Sequence, residues 1–286
     1  MYNLFRIVLF LFFVLPLTPK EIFAQLERER VATDRLVSET FWTPSLAGMS
    51  TVETIGKKHL HVSIMHAFGF IDEGIDNFFG LDATANIRLS VDYGITERWS
   101  VGIGRTRFEK VVDLRNKYAI LKQTESNKMP LSATAHFNIG VTTEELGLSF
   151  GDKLNFLGSM MIARKFNDEF SLQIAPMYAR FEFVFPNRPN DFWALGLSGR
   201  YQLNRRFSVS AEYLPVLSTK NPSAKNHFAM ALNIETGGHV FQLFFTTTQW
   251  FNEQFVIARN RDDFFAGDIR FGFNVNRVFS LARRKS

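Results

Sequence analysis

The sequence predicts an all-β chain closed into an antiparallel transmembrane β-barrel of about 12 strands, and three observations carry that reading. Apolar and polar residues alternate at period two along most of the chain, the alternating segments run mostly 10 to 13 residues, and tight turns alternate with long polar loops between them. The composition agrees. Of 286 residues, 46% are hydrophobic and 21% charged, with 32 Phe, 9 Pro, no Cys and a formal charge of +5. This is too apolar for a disordered chain and long enough for one large all-β domain. Mean hydropathy is nevertheless close to zero, −0.05, which alternation produces. The absence of Cys excludes a disulfide scaffold, an iron–sulfur cluster, a Cys-ligated zinc site, a cysteine nucleophile and a lipidated N-terminal cysteine.

Residues 1–24 have the tripartite form of a signal peptide: a basic Arg6, an apolar run from Ile7 to Leu17, and a polar end at Phe23-Ala24-Gln25. Cleavage is expected after Ala24. The apolar run is about half of the roughly 20 residues that a membrane helix needs. No later run approaches that length, so an exported chain of this kind is either soluble or a barrel. Residues 25–58 follow without clean alternation and contain Arg28-Glu29-Arg30 and Phe41-Trp42-Thr43-Pro44. They form either a periplasmic segment or a plug in the lumen. Phe41 and Trp42 favour a docked segment, because free tails are poor in aromatics.

The barrel itself is expected over 59–279. From His59 to Phe70, Leu60, Val62, Ile64, His66, Phe68 and Phe70 share one face, while His59, His61, Ser63, Met65, Ala67 and Gly69 share the other. Next, Ile87, Leu89, Val91 and Tyr93 oppose Asn86, Arg88, Ser90 and Asp92, and Trp99, Val101 and Ile103 oppose Ser100, Gly102 and Gly104. The pattern continues with Ala133, Ala135, Phe137 and Ile139 against Ser132, Thr134, His136 and Asn138, then Phe170, Leu172 and Ile174 against Ser171, Gln173 and Ala175. Trp193, Leu195, Leu197 and Tyr201 oppose Ala194, Gly196, Ser198 and Arg200. Phe207, Val209 and Tyr213 oppose Ser208, Ser210 and Glu212, and Phe228, Met230 and Leu232 oppose Ala229, Ala231 and Asn233. The last strand is expected from about 262, with Phe265, Ile269, Phe271 and Phe273 against Ala266, Asp268, Arg270 and Gly272. Successive strand residues point to opposite sides, so each segment separates an apolar from a polar environment. A soluble sandwich gives the same alternation.

Length and turns separate the two. Sandwich strands run about 5–6 residues, whereas a tilted membrane strand needs about 9–11. Tight turns at Thr96-Glu97-Arg98, Asn167-Asp168-Glu169, Asn204-Arg205-Arg206 and Thr236-Gly237-Gly238 face long loops at 71–80, 142–152, 217–226 and 249–262. That asymmetry, with an even strand count that puts both ends of the barrel on the short-turn side, is the outer-membrane pattern. The short 108–111 loop and the long 121–129 turn fit it less well. Tyr93, Trp99, Tyr118, Phe170, Tyr201, Phe207 and Phe279 would form the periplasmic aromatic girdle, and Tyr178, Trp193 and Tyr213 the opposite one. The aromatic-ended strand Phe271 to Phe279 resembles the signal read by barrel-assembly machinery, although a basic tail, 280–286, follows it.

At Val52-Glu53-Thr54, His66-Ala67-Phe68-Gly69, Phe79-Gly80-Leu81-Asp82, Ile87 through Ile95 and Val101-Gly102-Ile103-Gly104-Arg105, the chain resembles the outer-membrane β-barrel family of Bacteroidetes-type bacteria known as domain of unknown function 5777. The resemblance is strongest from about 40 to 140. It implies a fold and a location, and it carries no site residues with it.

Ten charged residues fall on the inner face: Arg88, Asp92, Asp113, Arg115, Lys117, Arg200, Glu212, Glu235, Asp268 and Arg270, five of each sign. A balanced set favours internal pairing that braces the barrel, since unpaired charges in a narrow lumen are costly. Gly, Ala and Ser on the same face leave room for a channel or a ligand cavity. His59 and His61 share a face but lack a third metal ligand, and no cofactor is expected. His66 falls on the lipid side without a matched nucleophile, so no catalytic residue is expected. Gly102 and Gly104 sit inside a strand, where they fit a tight lumen or a bend better than a phosphate loop. Basic residues are scattered, which argues against nucleic acid. The expectation is therefore a passive outer-membrane channel or transporter for an unidentified small solute, with outer-membrane lipid and the assembly machinery as partners. The alternatives are a sealed structural or partner-binding barrel and, third, a lipid hydrolase.

Overall fold

The computed structural model describes residues 34–145, 147–183, 189–219, 221 and 223–281. The expected signal peptide, residues 25–33 and most of the basic tail lie outside this set. Twelve strands follow one another: β1 His59–Phe70, β2 Asn86–Gly94, β3 Trp99–Thr106, β4 Val111–Leu121, β5 Ser132–Thr142, β6 Leu154–Lys165, β7 Phe170–Phe181, β8 Asp191–Gln202, β9 Phe207–Leu214, β10 His227–Glu235, β11 His239–Thr246 and β12 Arg270–Ser280. Each pairs antiparallel with its sequence neighbours, and β12 closes on β1 from His59↔Ser280 to Ala67↔Gly272. Closure leaves no free sheet edge, which is the condition for strands to cross hydrocarbon. No described helix is long and apolar enough to cross a membrane.

The two faces separate as alternation requires. Leu89, Ile103, Leu114, Phe137, Met230 and Phe245 stand exposed on the outside, whereas Ser63, Asn86, Asp113, Thr134, Gln173 and Gln242 are buried inside. An apolar outer belt with a polar interior inverts the soluble sandwich. Trp99, Tyr118 and Tyr201 mark the belt near the turn rim, and Trp193 and Tyr213 mark it near the loop rim, all exposed.

The irregular connections have local causes. The long turn after β4 pairs with the incoming N-terminal segment: Leu36 bridges Thr124, the Val37 amide donates to the Gln123 carbonyl, and the Glu125 amide donates to the Arg35 carbonyl. The start of the last strand differs from the sequence reading. Residues 264–266 form a 3-10 turn ended by Gly267 at φ 90, so β12 begins only at Arg270. Phe265 is therefore a loop residue. Asp268 likewise stands outside the inner face, accepting a hydrogen bond from the Asp263 amide.

Inside, the wall is two-sided. Strands β1 to β5 carry most of the charged residues. Strands β6 to β9 instead present Leu157, Met161, Met177, Phe181, Phe192 and Leu214, all buried. Two inserted segments cover this apolar wall.

Candidate functional site

On the charged side, four strand residues form a closed set of ion pairs. Asp113 accepts from Arg88 through both oxygens, at 2.6 and 2.8 Å, and from Arg115 at 3.0 Å. Arg115 also reaches Asp92 at 2.9 Å, and Asp92 lies 3.3 Å from His61. The register places Arg88 and Asp92 on β2 across Gly102 and Gly104 of β3 from Asp113 and Arg115 on β4. A Cβ on Gly102 would collide with Asp92, and one on Gly104 with Arg88 and Arg115. The two glycines thus let the side chains of β2 and β4 meet across β3.

The other inward charges take different partners. Lys117 donates to the carbonyls of Pro44 and Thr51 at 2.5 and 3.0 Å. Arg200 donates to the carbonyls of Thr40 and Glu39 and lies 5.3 Å from the Trp42 ring. Glu212 accepts from the amides of Gly48 and Met49 at 2.6 and 3.2 Å and contacts His227 at 2.8 Å. Arg270 pairs with Asp262 at 2.8 Å, and Glu235 caps the adjacent turn through the Gly237 amide. The balanced inner set therefore does not pair wholly within itself. Glu235 and Asp268 serve connections, and Lys117, Arg200 and Glu212 grip backbone.

The backbone they grip is the segment before β1. Residues 44–51 make a tight hairpin, with the Leu46 amide bonded to Met49 and the Thr51 amide to Pro44. Beyond the grips above, Gln173 accepts from the Val52 amide at 2.7 Å and donates to the Ser50 carbonyl at 2.9 Å, and Thr134 donates to the Val52 carbonyl. These backbone groups of the segment, taken out of water, thus find partners on the wall. Phe41 and Met49 are fully buried against the apolar side. Trp42 is half-buried, under Arg200. Gly94 lets the segment pass, since a Cβ there would collide with the Gly56 and Ile55 carbonyls.

A second segment enters from the loop rim. The loop between β11 and β12 contains a short helix, α1, Glu253–Arg259. Its Phe255, Val256 and Ile257 are buried against the apolar wall. Asn252 donates to Asp113 at 3.0 Å and Gln254 to Asn155 at 2.9 Å. Glu253 accepts from the Ser50 amide at 2.7 Å and the Ser50 hydroxyl at 3.2 Å, and His136 lies 3.4 Å from it. Burial pushes the Glu253 carboxyl above its ordinary value, against the opposing pull of the Ser50 donors and Lys117. The two inserted segments therefore meet at Ser50 and Glu253. What remains open beside the ion-paired set is about 40 Å³, room for a few water molecules.

Phe41 and Trp42 lie in the segment before β1, Phe41 buried and Trp42 half-buried, whereas sequence reading takes 249–262 for a polar loop and misses Asn252, Glu253, Gln254 and Phe255. The available signal was Phe255-Val256-Ile257-Ala258, an apolar run unusual for an exposed connection. His66 stacks on Phe273 at 4.6 Å. His59 contacts the Lys57 carbonyl while His61 faces Asp92 and Asn276. Among the described residues no group of three or more His, Asp or Glu side chains is placed to hold a metal.

Residues 41–279 match the family model described as a membrane bound beta barrel domain, domain of unknown function 5777. No curated protein matches the chain. Among solved structures, the NanC porin aligns with TM-score 0.51 at 10% identity, covering 78% of this chain and 100% of that one. The KdgM porin aligns with TM-score 0.48 at 9% identity over 78% and 99%, and an outer-membrane channel from Pseudomonas putida F1 with TM-score 0.44 at 10% over 79% and 97%. At such identities the likeness to the NanC porin is one of fold.

Proposed function

The chain belongs to the membrane bound beta barrel family, domain of unknown function 5777, and on that premise we propose that it is a passive channel for small solutes that rests closed in the outer membrane of a Gram-negative bacterium. Residues 1–24 direct export and are then removed, the β12 strand serves as the handle for barrel assembly, and no covalent chemistry is involved. One observation carries the reading: the lumen is filled by two inserted segments rather than by wall side chains meeting one another. Barrels of about 8 strands fill with their own side chains, while 16-stranded porins leave an aqueous channel. A 12-stranded wall lies between, and withdrawing the hairpin would uncover a polar track along Thr134, Gln173, Lys117, Glu212 and Asn274. Selection would then follow from lumen width and these inward groups.

A sealed barrel is the second reading, favoured by the 40 Å³ interior and by the packing of Phe255 and Ile257 on the apolar wall. Planar-bilayer recordings of the mature chain and of a form lacking 34–56 distinguish the two, with gel mobility before and after heating as the check on folding. Current steps, more frequent without the hairpin, support the gated channel. Silence from both folded forms supports the sealed barrel.

A further inference from the structure

At the loop rim the filled lumen opens into a cavity of about 530 Å³, bounded by Phe181 at the end of β7, Phe192 at the start of β8, Trp250 and residues 258–262. Small organic ligands occupy cavities of this size, typically with aromatic linings and a few placed polar groups. The floor is aromatic. Phe181 meets Phe192 and Phe255 edge-on at 6.3 and 5.1 Å, and Trp250 stacks on Phe255 at 5.3 Å.

The charges around this floor are unequal. Glu109 pairs with Arg259, whose guanidinium also lies over the Phe181 and Phe255 rings. Asp262 is taken by Arg270. Arg261 is exposed, lines the cavity and has no ion pair among the described residues. Burial, with the neighbouring Arg261 cation adding to it, pushes Arg259 down to about 10. Nearby, Asn221 donates to the Ala258 carbonyl at 2.6 Å, while its own Oδ1 is buried without a hydrogen-bond partner among the described residues.

From aromatic floor and spare cation together, we infer that this cavity binds a small aromatic carboxylate. The ring lies on the Trp250 side of the floor, and the carboxylate pairs with Arg261. An arginine–carboxylate pair suits this task because the planar guanidinium matches both oxygens. As the outer entrance of a channel the site rests on the function proposed above. Binding itself does not, because it is measured on the closed protein.

The test is calorimetric titration of the full mature chain in detergent with 4-hydroxyphenylacetate, and with tyramine, which replaces the carboxylate by an ammonium. The expected result is saturable one-to-one binding, weakened about tenfold or more by Arg261→Gln and for tyramine, the loss expected for one charge-assisted contact. Trp250→Leu should also weaken binding, whereas Lys225→Gln, outside the cavity lining, should not. Equal binding of tyramine, unchanged affinity in Arg261→Gln, preference for glucose, or no saturation below about 10 mM overturns the assignment. Silent bilayer recordings with intact binding would overturn the channel and leave the site standing.

Discussion

Replacing Asp113 by Asn keeps the side-chain volume and removes one charge from the centre of the ion-paired set. Asp113 is fully buried and accepts from Arg88, Arg115 and Asn252. At a separation near 4 Å and an effective dielectric of about 20, each arginine contributes about 4 kcal/mol of attraction. The carboxylate's own desolvation offsets several kcal/mol of that sum. The net expected loss is about 3–5 kcal/mol, the range for removing one partner of a buried pair. Pairing the change with Arg88→Met restores neutrality, leaving Arg115 with Asp92, and should recover more than half of the loss. The assay is urea unfolding of the protein refolded into phospholipid vesicles, followed by tryptophan fluorescence and extrapolated linearly. A single variant within about 1 kcal/mol of the parent, far below the 3–5 expected for a broken buried pair, refutes the view that this set braces the wall. So does a double variant no better than the single one.

Three further perturbations address the outer belt, the hairpin and the meeting point inside. Trp193 and Tyr201 flank Leu197 four residues away on each side of β8, which spans about 27 Å of strand and about 20 Å of membrane normal at a tilt near 40°. Leu197→Arg should therefore cost about 2–4 kcal/mol and Trp193→Arg about 0–1, in the same unfolding assay; a reversed order would place the membrane elsewhere. Gly94→Ala, whose Cβ would meet the Gly56 carbonyl, should loosen the hairpin at a cost of about 1–3 kcal/mol, seen as faster protease cleavage within 34–56; unchanged cleavage would mean that the contact does not hold the segment. Burial raises both Glu53 and Glu253 above the ordinary carboxyl value of 4.5 when the segments are docked. The docked state therefore holds protons that the free segments release, so docking is strongest below about 4.5 and weakens as pH rises through the raised values. Conductance, where present, should fall in acid, and Glu253→Gln should reduce that dependence; conductance that rises on acidification contradicts the sign.

Period-two alternation made the strands legible because a barrel wall separates two solvents at every residue, so each strand repeats the same statement. Every alternating segment named from the sequence before the last falls within an observed strand. The last does not, because Phe265 and Ile269 continue the apolar period through a 3-10 turn and a left-handed Gly267. Alternation put ten charges on the inner face, of which Asp268 lies outside it, and it revealed none of their partners. Lys117, Arg200 and Glu212 bind backbone amides and carbonyls of a distant hairpin, and backbone has no sequence signature. Nor does alternation reveal that β6 to β9 face inward with Met and Phe, since an inserted helix turns that face into a core.

The division of the lumen explains why its two fillers differ in kind. The hairpin buries Leu46 and Met49, with Phe41 and Val52 beside it, and is held as well by side chains of β4, β5, β7, β8 and β9 that satisfy its backbone, bonds that each return only a modest net energy because water is the competitor. The α1 segment adds three fully buried apolar side chains, each worth about 1.5–3 kcal/mol when removed from water. Release from either rim therefore exposes hydrocarbon, and release from the turn rim also exchanges hydrogen bonds for hydration. An aromatic ligand resting against Trp250 and Phe181 would act on the loop rim, by offering Phe255's ring partners a substitute surface. Since Ser50 and Glu253 join the two segments directly, loosening either end removes a contact from the other, and the closed state is lost from both rims together.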